Sequence, residues 1–397
     1  MKEFDVVVIG GGIHGAGVLQ AAAAAGHRCL LIEKKALASG TSSRSSKLIH
    51  GGLRYLETAQ FRLVRESLHE RSVLLRTAPD LVQLKPFYIP VYRNTRRRPW
   101  QLRLGLLAYA ILGGFSAGTG FGSIPKSEWH RLDGLDTHDL DAVIRYHDAQ
   151  TDDAQLTRAV VRSAQDLGAQ LAMPASFIEA ELDTQGVRIG YEERTDAGSF
   201  MRECRAQVLV NAAGPWATHV ARGIRPAIEI PHVDLVQGTH IVVSVPTRSG
   251  IYYVESPSDG RAVFIMPWNG GTLIGTTETP YRGEPEQVHP LPEEEQYLLD
   301  VAQAYFAPLR GLTRADISAR FAGLRVLPAG DAQAFGRSRE TMLIGERAAR
   351  PRVMAIYGGK LTAWRATAEQ VMEKIETSLP RSRNRVSTED LPLRRST

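Results

Sequence analysis

Residues 4–9 (FDVVVI) form a short apolar run that stops at the glycines of GGGIHG, and an Ala-rich stretch, 16–25, follows. A second apolar run, HRCLLIEKK, ends in an acid at Glu33. Short apolar runs bounded by turn residues predict buried strands, and the alanines between them predict a helix. The order is strand, glycine turn, helix, strand, acid. Further along the pattern changes. VDLVQGTHIVVSV, GIYYVES, RAVFIMPW and TLIGTTE are β-rich runs broken by turn residues, with Asn269-Gly270-Gly271 as a hairpin turn, and they predict an antiparallel sheet. AQVLVNAAGPWA (206–217) and RVMAIYGGK read as buried strands running into turns, and LTAWRATAEQVMEKIETSL has helical spacing. The first unit is therefore discontinuous, at 1–55, 150–225 and 340–380, with a substrate or cap unit formed by 56–149 and 226–339. Residues 381–397, polar and Arg-rich, predict a loose tail.

The glycine turn gives the first unit its chemistry. Gly10-x-Gly12-x-x-Gly15 lets the backbone turn tightly and approach a pyrophosphate, while the helix N-terminus offers N–H groups and the positive end of its dipole. Glu33, about twenty residues on, is placed to accept from ribose hydroxyls. A glycine turn without a ligand is the plain alternative, but strand before, helix after and acid at that distance favour a bound dinucleotide. His14, inside the turn, would line that cofactor.

One segment, TSSRSSKLIHGGLRYLE from Thr41 to Glu57, fits neither helix nor strand. Its apolar residues keep no steady period, and Gly51-Gly52 would weaken any regular element. It is dense in hydroxyls and cations, which reads either as a solvated Ser-rich loop or as donors for an oxygen-rich ligand.

That block, with VVVIGGGIHGAG, NAAGPW, GTHIVV, MPW, IGTTE, GLRVL and YGGKLTAWR, resembles in order and wording the FAD-dependent glycerol-3-phosphate dehydrogenases over about residues 4–375. The glycine fingerprint is shared by many flavoproteins, whereas the Thr41–Glu57 block is far more specific. The resemblance implies an α/β fold: a Rossmann-like FAD-binding domain of the glutathione-reductase type with an inserted antiparallel β-sheet substrate domain, like that of amino-acid oxidases. It implies oxidation of sn-glycerol 3-phosphate to dihydroxyacetone phosphate, with electrons passing to FAD and then, in membrane-associated members, to quinone. Those enzymes usually carry a further C-terminal helical domain, and this chain departs from the pattern by ending with EDLPLRRST.

Carried onto this sequence, the resemblance puts Thr41, Ser42, Ser43 and Lys47 around the flavin and its pyrophosphate. Gly51 and Gly52 would let the backbone lie against the isoalloxazine ring, and Gly214 and Gly359 occupy the matching turns of NAAGPW and YGGK. His50, Arg54 and Tyr55 would face the substrate. His50 and His240 are the two candidates for the base that takes the substrate hydroxyl proton, because histidine holds a neutral nitrogen near pH 7. A lone histidine is more often structural. For phosphate, Arg54, Arg325 and Arg339 match anion-binding motifs, since a guanidinium meets phosphate oxygens bidentately. Arg325 is the strongest, because an arginine inside the apolar GLRVL needs an anionic partner, with an internal salt bridge as the alternative. Arg337 competes with Arg339. Lys360, opening a helix after YGGK, either faces the flavin edge that gains charge on reduction or reaches the substrate.

Composition narrows the setting. The 397 residues, 43% hydrophobic and 23% charged, suit two or three domains with a sizeable core. Two cysteines, Cys29 and Cys204, each in an apolar run, argue against a disulfide framework and for a reducing compartment. The chain enters its first strand without a signal-peptide h-region, and no run approaches the ~18 apolar residues of a spanning helix. A cytoplasmic protein is expected, with peripheral placement on the cytoplasmic face of the inner membrane. Net charge is +5 and the pI about 9.2, with the positive charge gathered at RNTRRRPWQLRLGLLAYAILGG (93–114). There Arg96, Arg97, Arg98 and Trp100 precede Leu104, Leu106, Leu107, Ile111 and Leu112. This reads either as a helix docking on an anionic membrane or as a buried helix with a solvated basic start. The expected partners are a small phosphorylated substrate, quinone or another electron acceptor, an anionic membrane and a second copy in a homodimer. Neither a metal nor nucleic acid is expected. Two other functions stay open: an FAD oxidoreductase for another small 2-hydroxy acid or amino acid, which would not need clustered arginines, and a non-catalytic flavin-binding interaction module, which would not need His50, His240, Arg325 and Lys360.

Overall fold

The computed structural model describes residues 1–57, 59–115, 118–330, 341–381 and 386–395. Two sheets organise the chain. In the first, the parallel strands Gln170–Ala172, Cys29–Ile32, Lys2–Ile9, Gly198–Asn211 and Val353–Tyr357 lie side by side in that order, with Met342–Gly345 antiparallel beyond them. Side chains alternate between two cores. Val6 and Val8 pack with the helices Ile13–Ala24, Asp153–Asp166 and Trp364–Ile375, whereas Val7 and Ile9 pack with the antiparallel meander Ala175–Asp183, Gly186–Thr195 and Gly198–Asn211. Burial on both faces explains the unbroken apolar runs. The Ala-rich helix is buried at every position except His14, and its small side chains allow close approach: a Cβ on Gly17 would stand 2.6 Å from the Trp364 ring.

The second sheet runs Thr279–Tyr281, Val233–Val243, Gly271–Gly275, Ala262–Trp268, Ile251–Glu255, Val82–Tyr92, Leu140–Thr151, Leu48–Ile49, with Ile317–Pro328 along the other side of Val233–Val243. Its one parallel contact among these is Ile251–Glu255 against Val82–Tyr92. The expected hairpin is present: Trp268 pairs with Gly271, and Asn269 and Gly270 both take positive φ between them, the conformation of a two-residue turn. The long pair Val82–Tyr92 and Leu140–Thr151 was not expected from the pattern. VQLKPFYIPVY carries Pro86 and Pro90, which argue against a central strand, yet it lies centrally.

Residues 386–395 correct the expectation of a loose tail. Val386 N–H donates to the Ala24 carbonyl and Leu393 N–H to that of Thr77; Leu393 is buried, and the Arg365 guanidinium reaches both Thr388 and Glu389. Arg365 is in turn held bidentately by buried Glu70 at 2.9 and 2.6 Å. The tail thus clasps the helices Ile13–Ala24, Phe61–Thr77 and Trp364–Ile375.

A second buried charge cluster joins the helix Phe61–Thr77 to the strand Leu140–Thr151. Arg71 donates to Asp148 at 2.6 Å, and the Tyr109 hydroxyl donates to the other Asp148 oxygen at 2.6 Å while accepting the Gly51 N–H at 2.8 Å. Removing one partner of a buried pair strands the other charge in a poor solvent. Asp148→Ala should therefore lower the unfolding free energy by about 3–5 kcal/mol, read as a fall in urea midpoint at constant m. A midpoint equal to the parent's would show that Arg71 needs no carboxylate there.

Candidate active site

The two sheets meet over a cavity of about 750 Å³ whose lining runs from Gly10–Gly12 and Glu33 to His50, His240, Arg325 and Lys360. At the first end the glycines do distinct things. Gly10 sits at φ +107°, and a Cβ on Gly15 would fall 1.9 Å from the Gly10 carbonyl oxygen, so Gly15, which does not line the cavity, lets the helix pack onto the turn. Glu33 accepts the Gly11 N–H at 2.7 Å and the Lys35 N–H at 2.8 Å, and each of its oxygens keeps a second lone pair for a ribose hydroxyl. His14 lines the cavity with its Nδ1 buried and without a hydrogen-bond partner among the described residues, and burial lowers its pKa to about 4. A Cβ on Gly359, at φ +101°, would meet His14 Nε2 at 2.2 Å. Gly214, at φ +55°, also lines the cavity.

The Thr41–Glu57 block corrects several expectations, because its side chains are largely spent on the fold. Thr41 donates to the Leu324 carbonyl, Ser42 accepts the Ile13 N–H at the start of the first helix, and Ser43 donates to Gly40. Thr41 and Ser42 still line the cavity; Ser43 does not. Lys47 does not line it either. Its ammonium is buried against Asp153 at 2.7 Å and the Ser43 carbonyl at 2.6 Å. Gly51 is glycine for a different reason than expected: a Cβ there would strike Tyr109 Oη at 2.5 Å and Leu68 at 2.7 Å. Gly52 lines the cavity, and a Cβ there would stand 2.3 Å from the Tyr55 ring, whose centroid lies 3.9 Å from the Lys360 ammonium. That contact is a cation–π pair. The helix expected to open at Lys360-Leu361 begins at Trp364, after a turn closed by Ala363 N–H onto the Lys360 carbonyl.

Both candidate histidines reach the cavity. His50, half-buried beside the Phe264 ring, has its backbone N–H held by the Thr362 hydroxyl at 3.1 Å. His240 is buried, with Nε2 3.0 Å from Ser46 Oγ and its ring stacked on Phe321. Burial first, then the charges of Arg325 and Lys47, hold its pKa well below the ordinary value, so the imidazole is neutral at pH 7. Arg325 also lines the cavity, and it has an internal partner as well: Nη1 lies 3.2 Å from Glu278 Oε1, and Nη2 lies 3.3 Å from Thr276 Oγ1. Gly238 makes room for it, since a Cβ there would sit 2.9 Å from Nη2. Tyr55 lines the same region; the Arg54 side chain and residues 331–340, with Arg337 and Arg339, lie outside what the structure describes. Ser46, Glu278 and Thr362 reach the cavity without having been singled out, because their partners are far away in sequence, and Arg261 lines it as well.

A βαβ glycine turn with a cradle that Cβ atoms would fill, an acid after the second strand, and a long cavity closed by an antiparallel sheet define a dinucleotide-dependent oxidoreductase. The model of the FAD dependent oxidoreductase family matches residues 5–365, and the chain belongs to that family, with FAD as its cofactor. It is 38% identical over 94% of its length to a glycerol-3-phosphate dehydrogenase of Pseudomonas aeruginosa, spanning 72% of that protein. It is 36% identical over 95% of its length to a D-erythritol 1-phosphate dehydrogenase of Brucella abortus, spanning 74% of it. The crystal structure of the glycerol-3-phosphate dehydrogenase from Bacillus halodurans complexed with FAD superposes with a TM-score of 0.77 at 26% identity, covering 99% of this chain and 68% of that one.

The glycine turn gives a direct test of the cofactor cradle. Gly15→Ala pushes a methyl into the Gly10 carbonyl and should yield protein depleted in FAD, measured as flavin absorbance per mole of purified protein. Full FAD content in this variant would mean that the close helix–turn contact is dispensable.

Proposed function

We propose that the protein oxidises the secondary hydroxyl of sn-glycerol 3-phosphate to the ketone of dihydroxyacetone phosphate, with residues 1–55, 150–225 and 340–380 as the FAD-binding unit and 56–149 with 226–339 as the substrate unit. The observation that carries this reading is the gathering of Arg325 and Lys360 with His50 and His240 around the cavity that the glycine turn also lines. A phosphate dianion matches two cations better than a single carboxylate does. FAD, when bound, supplies the hydride acceptor at N5. Arg325 exchanges its Glu278 contact for phosphate oxygens, and Lys360, braced on the Tyr55 ring, adds the second positive charge. A neutral histidine takes the hydroxyl proton. The Brucella relative favours one second reading, a longer polyol phosphate in the same site.

Charge-assisted hydrogen bonds are worth roughly 1.5–3 kcal/mol each. Arg325→Ala should therefore raise KM and lower kcat/KM at least about tenfold while FAD content stays normal. Unchanged kcat/KM would leave Arg325 with only its internal salt bridge.

The electrons pass on to a membrane quinone through a docked surface. Among the described residues no helix is long and apolar enough to cross a membrane. The helix Pro99–Leu112 buries Leu102, Leu106 and Tyr109 but leaves Trp100, Leu104, Leu107 and Ile111 exposed on its other side, with Phe115 just beyond. Arg96, Arg98 and Arg103 stand exposed around this stripe, while Arg97 is held by Glu57 and Glu255 and belongs to the fold. An apolar stripe rimmed by arginines fits the interface of an anionic bilayer. Replacing Arg96, Arg98 and Arg103 by Ala should weaken co-sedimentation with anionic liposomes at low salt by about 1 kcal/mol per residue. Parent protein that does not co-sediment at all would remove the membrane from the scheme.

A further inference from the structure

The Asp153 carboxylate dictates where Ser46 points. One of its oxygens accepts the Ser45 N–H at 3.0 Å and the Ser45 hydroxyl at 2.6 Å, and the other accepts the Lys47 ammonium at 2.7 Å. With its neighbours on both sides tied to Asp153, Ser46 turns to His240, its Oγ 3.0 Å from Nε2. The imidazole reaches the cavity and is otherwise closely packed. It is 1% exposed and stacks on Phe321 with ring centroids 5.0 Å apart at 17°. Gly275 backs it so closely that a Cβ would stand 2.1 Å from Cδ2. Its Nδ1 is buried and has no hydrogen-bond partner among the described residues. Ser46 is less buried than His240 and lines the cavity.

The Ser46 hydroxyl, bonded to Nε2 and itself on the cavity wall, therefore offers a hydrogen-bonded path from the cavity to His240. We propose that Ser46 relays the substrate hydroxyl proton to His240. This rests on the reading of His240 as the base. The Ser46 oxygen accepts the proton of the substrate hydroxyl as its own proton moves to Nε2, so Ser46 ends as the hydroxyl it began as. The substrate C–O becomes C=O, the C–H bonding pair leaves as hydride to the acceptor named above, and His240 ends as imidazolium. Arg325 and Lys47, the charged groups that bear on His240, oppose that last charge. Substrate phosphate on Arg325 and the Asp153 carboxylate on Lys47 offset them.

Anaerobic stopped-flow reduction of the bound flavin by sn-glycerol 3-phosphate separates the outcomes, with the parent, Ser46→Ala, Ser46→Thr and His240→Asn compared at matched FAD content. Ser46→Ala should reduce at least about tenfold more slowly, and Ser46→Thr, which keeps the hydroxyl, should recover most of the rate. In mixtures of light and heavy water the parent's rate should depend non-linearly on deuterium fraction, as two moving protons require, and that curvature should vanish in Ser46→Ala. If Ser46→Ala retains little FAD, Ser46→Gly makes the same truncation. A parental rate in Ser46→Ala with a slow His240→Asn overturns the relay and leaves His240 as base. Parental rates in both overturn the base reading and the relay with it. Equal slowing in Ser46→Ala and Ser46→Thr with parental curvature makes Ser46 a packing residue and also overturns the relay.

Discussion

The buried ion pair between Lys47 and Asp153 is the contact on which the site depends. Asp153 begins a helix packed on the first sheet, while the Lys47 ammonium lies 5.4 Å from the Trp268 ring centroid and 5.0 Å from that of Phe321, both on strands of the second sheet. One ionic contact thus fixes the spacing of the two sheets at the edge of the cavity. Burial pushes the Asp153 carboxyl up, and the Lys47 charge with the bonds from Lys47 and Ser45 pulls it back. Two charges withdrawn from water are costly unless their geometry is good and their remaining sites are filled. Here the Ser43 carbonyl and the Ser45 donors do the filling.

This explains why a segment with no regular period carries so much chemistry. Lys47 takes a positive φ of 60°, and the chain on either side is held by contacts to distant elements: Thr41 to Leu324, Ser45 to Asp153, Ser46 to His240, His50 to Thr362. Each bond removes one direction in which the loop could move, and together they leave His50, Gly52 and Tyr55 facing the cavity. The loop is ordered by its ends' neighbours rather than by its own backbone pattern.

The same fact marks what was legible in the sequence. The glycine turn could be read because its constraint is local: Gly10 and Gly15 meet each other, and Glu33 bonds Gly11 across a short βαβ unit. The antiparallel runs around Asn269-Gly270 could be read because a two-residue turn fixes both strands. The roles of the hydroxyls could not, since donors that suit a pyrophosphate suit carbonyls and carboxylates equally well, and only the tertiary fold decides between them. Lys47 and Gly51 stand behind the cavity lining for that reason. The central strand Val82–Tyr92 was hidden by its prolines, and the docking of residues 386–395 by their polar composition, which is satisfied by Arg365 and the helix ends. Arginine in the apolar GLRVL did signal an anionic partner, and Glu278 fills that role while Arg325 still reaches the cavity.

The central claim is that this cavity oxidises a phosphorylated polyol at its flavin. Anaerobic titration of the FAD-loaded protein, followed by loss of the oxidised flavin's visible absorbance, tests it most directly. sn-Glycerol 3-phosphate should bleach the flavin at near-stoichiometric amounts while glycerol, lactate and glycine leave it yellow. Bleaching by an amino acid or a 2-hydroxy acid, with the phosphate ester inert, would contradict it.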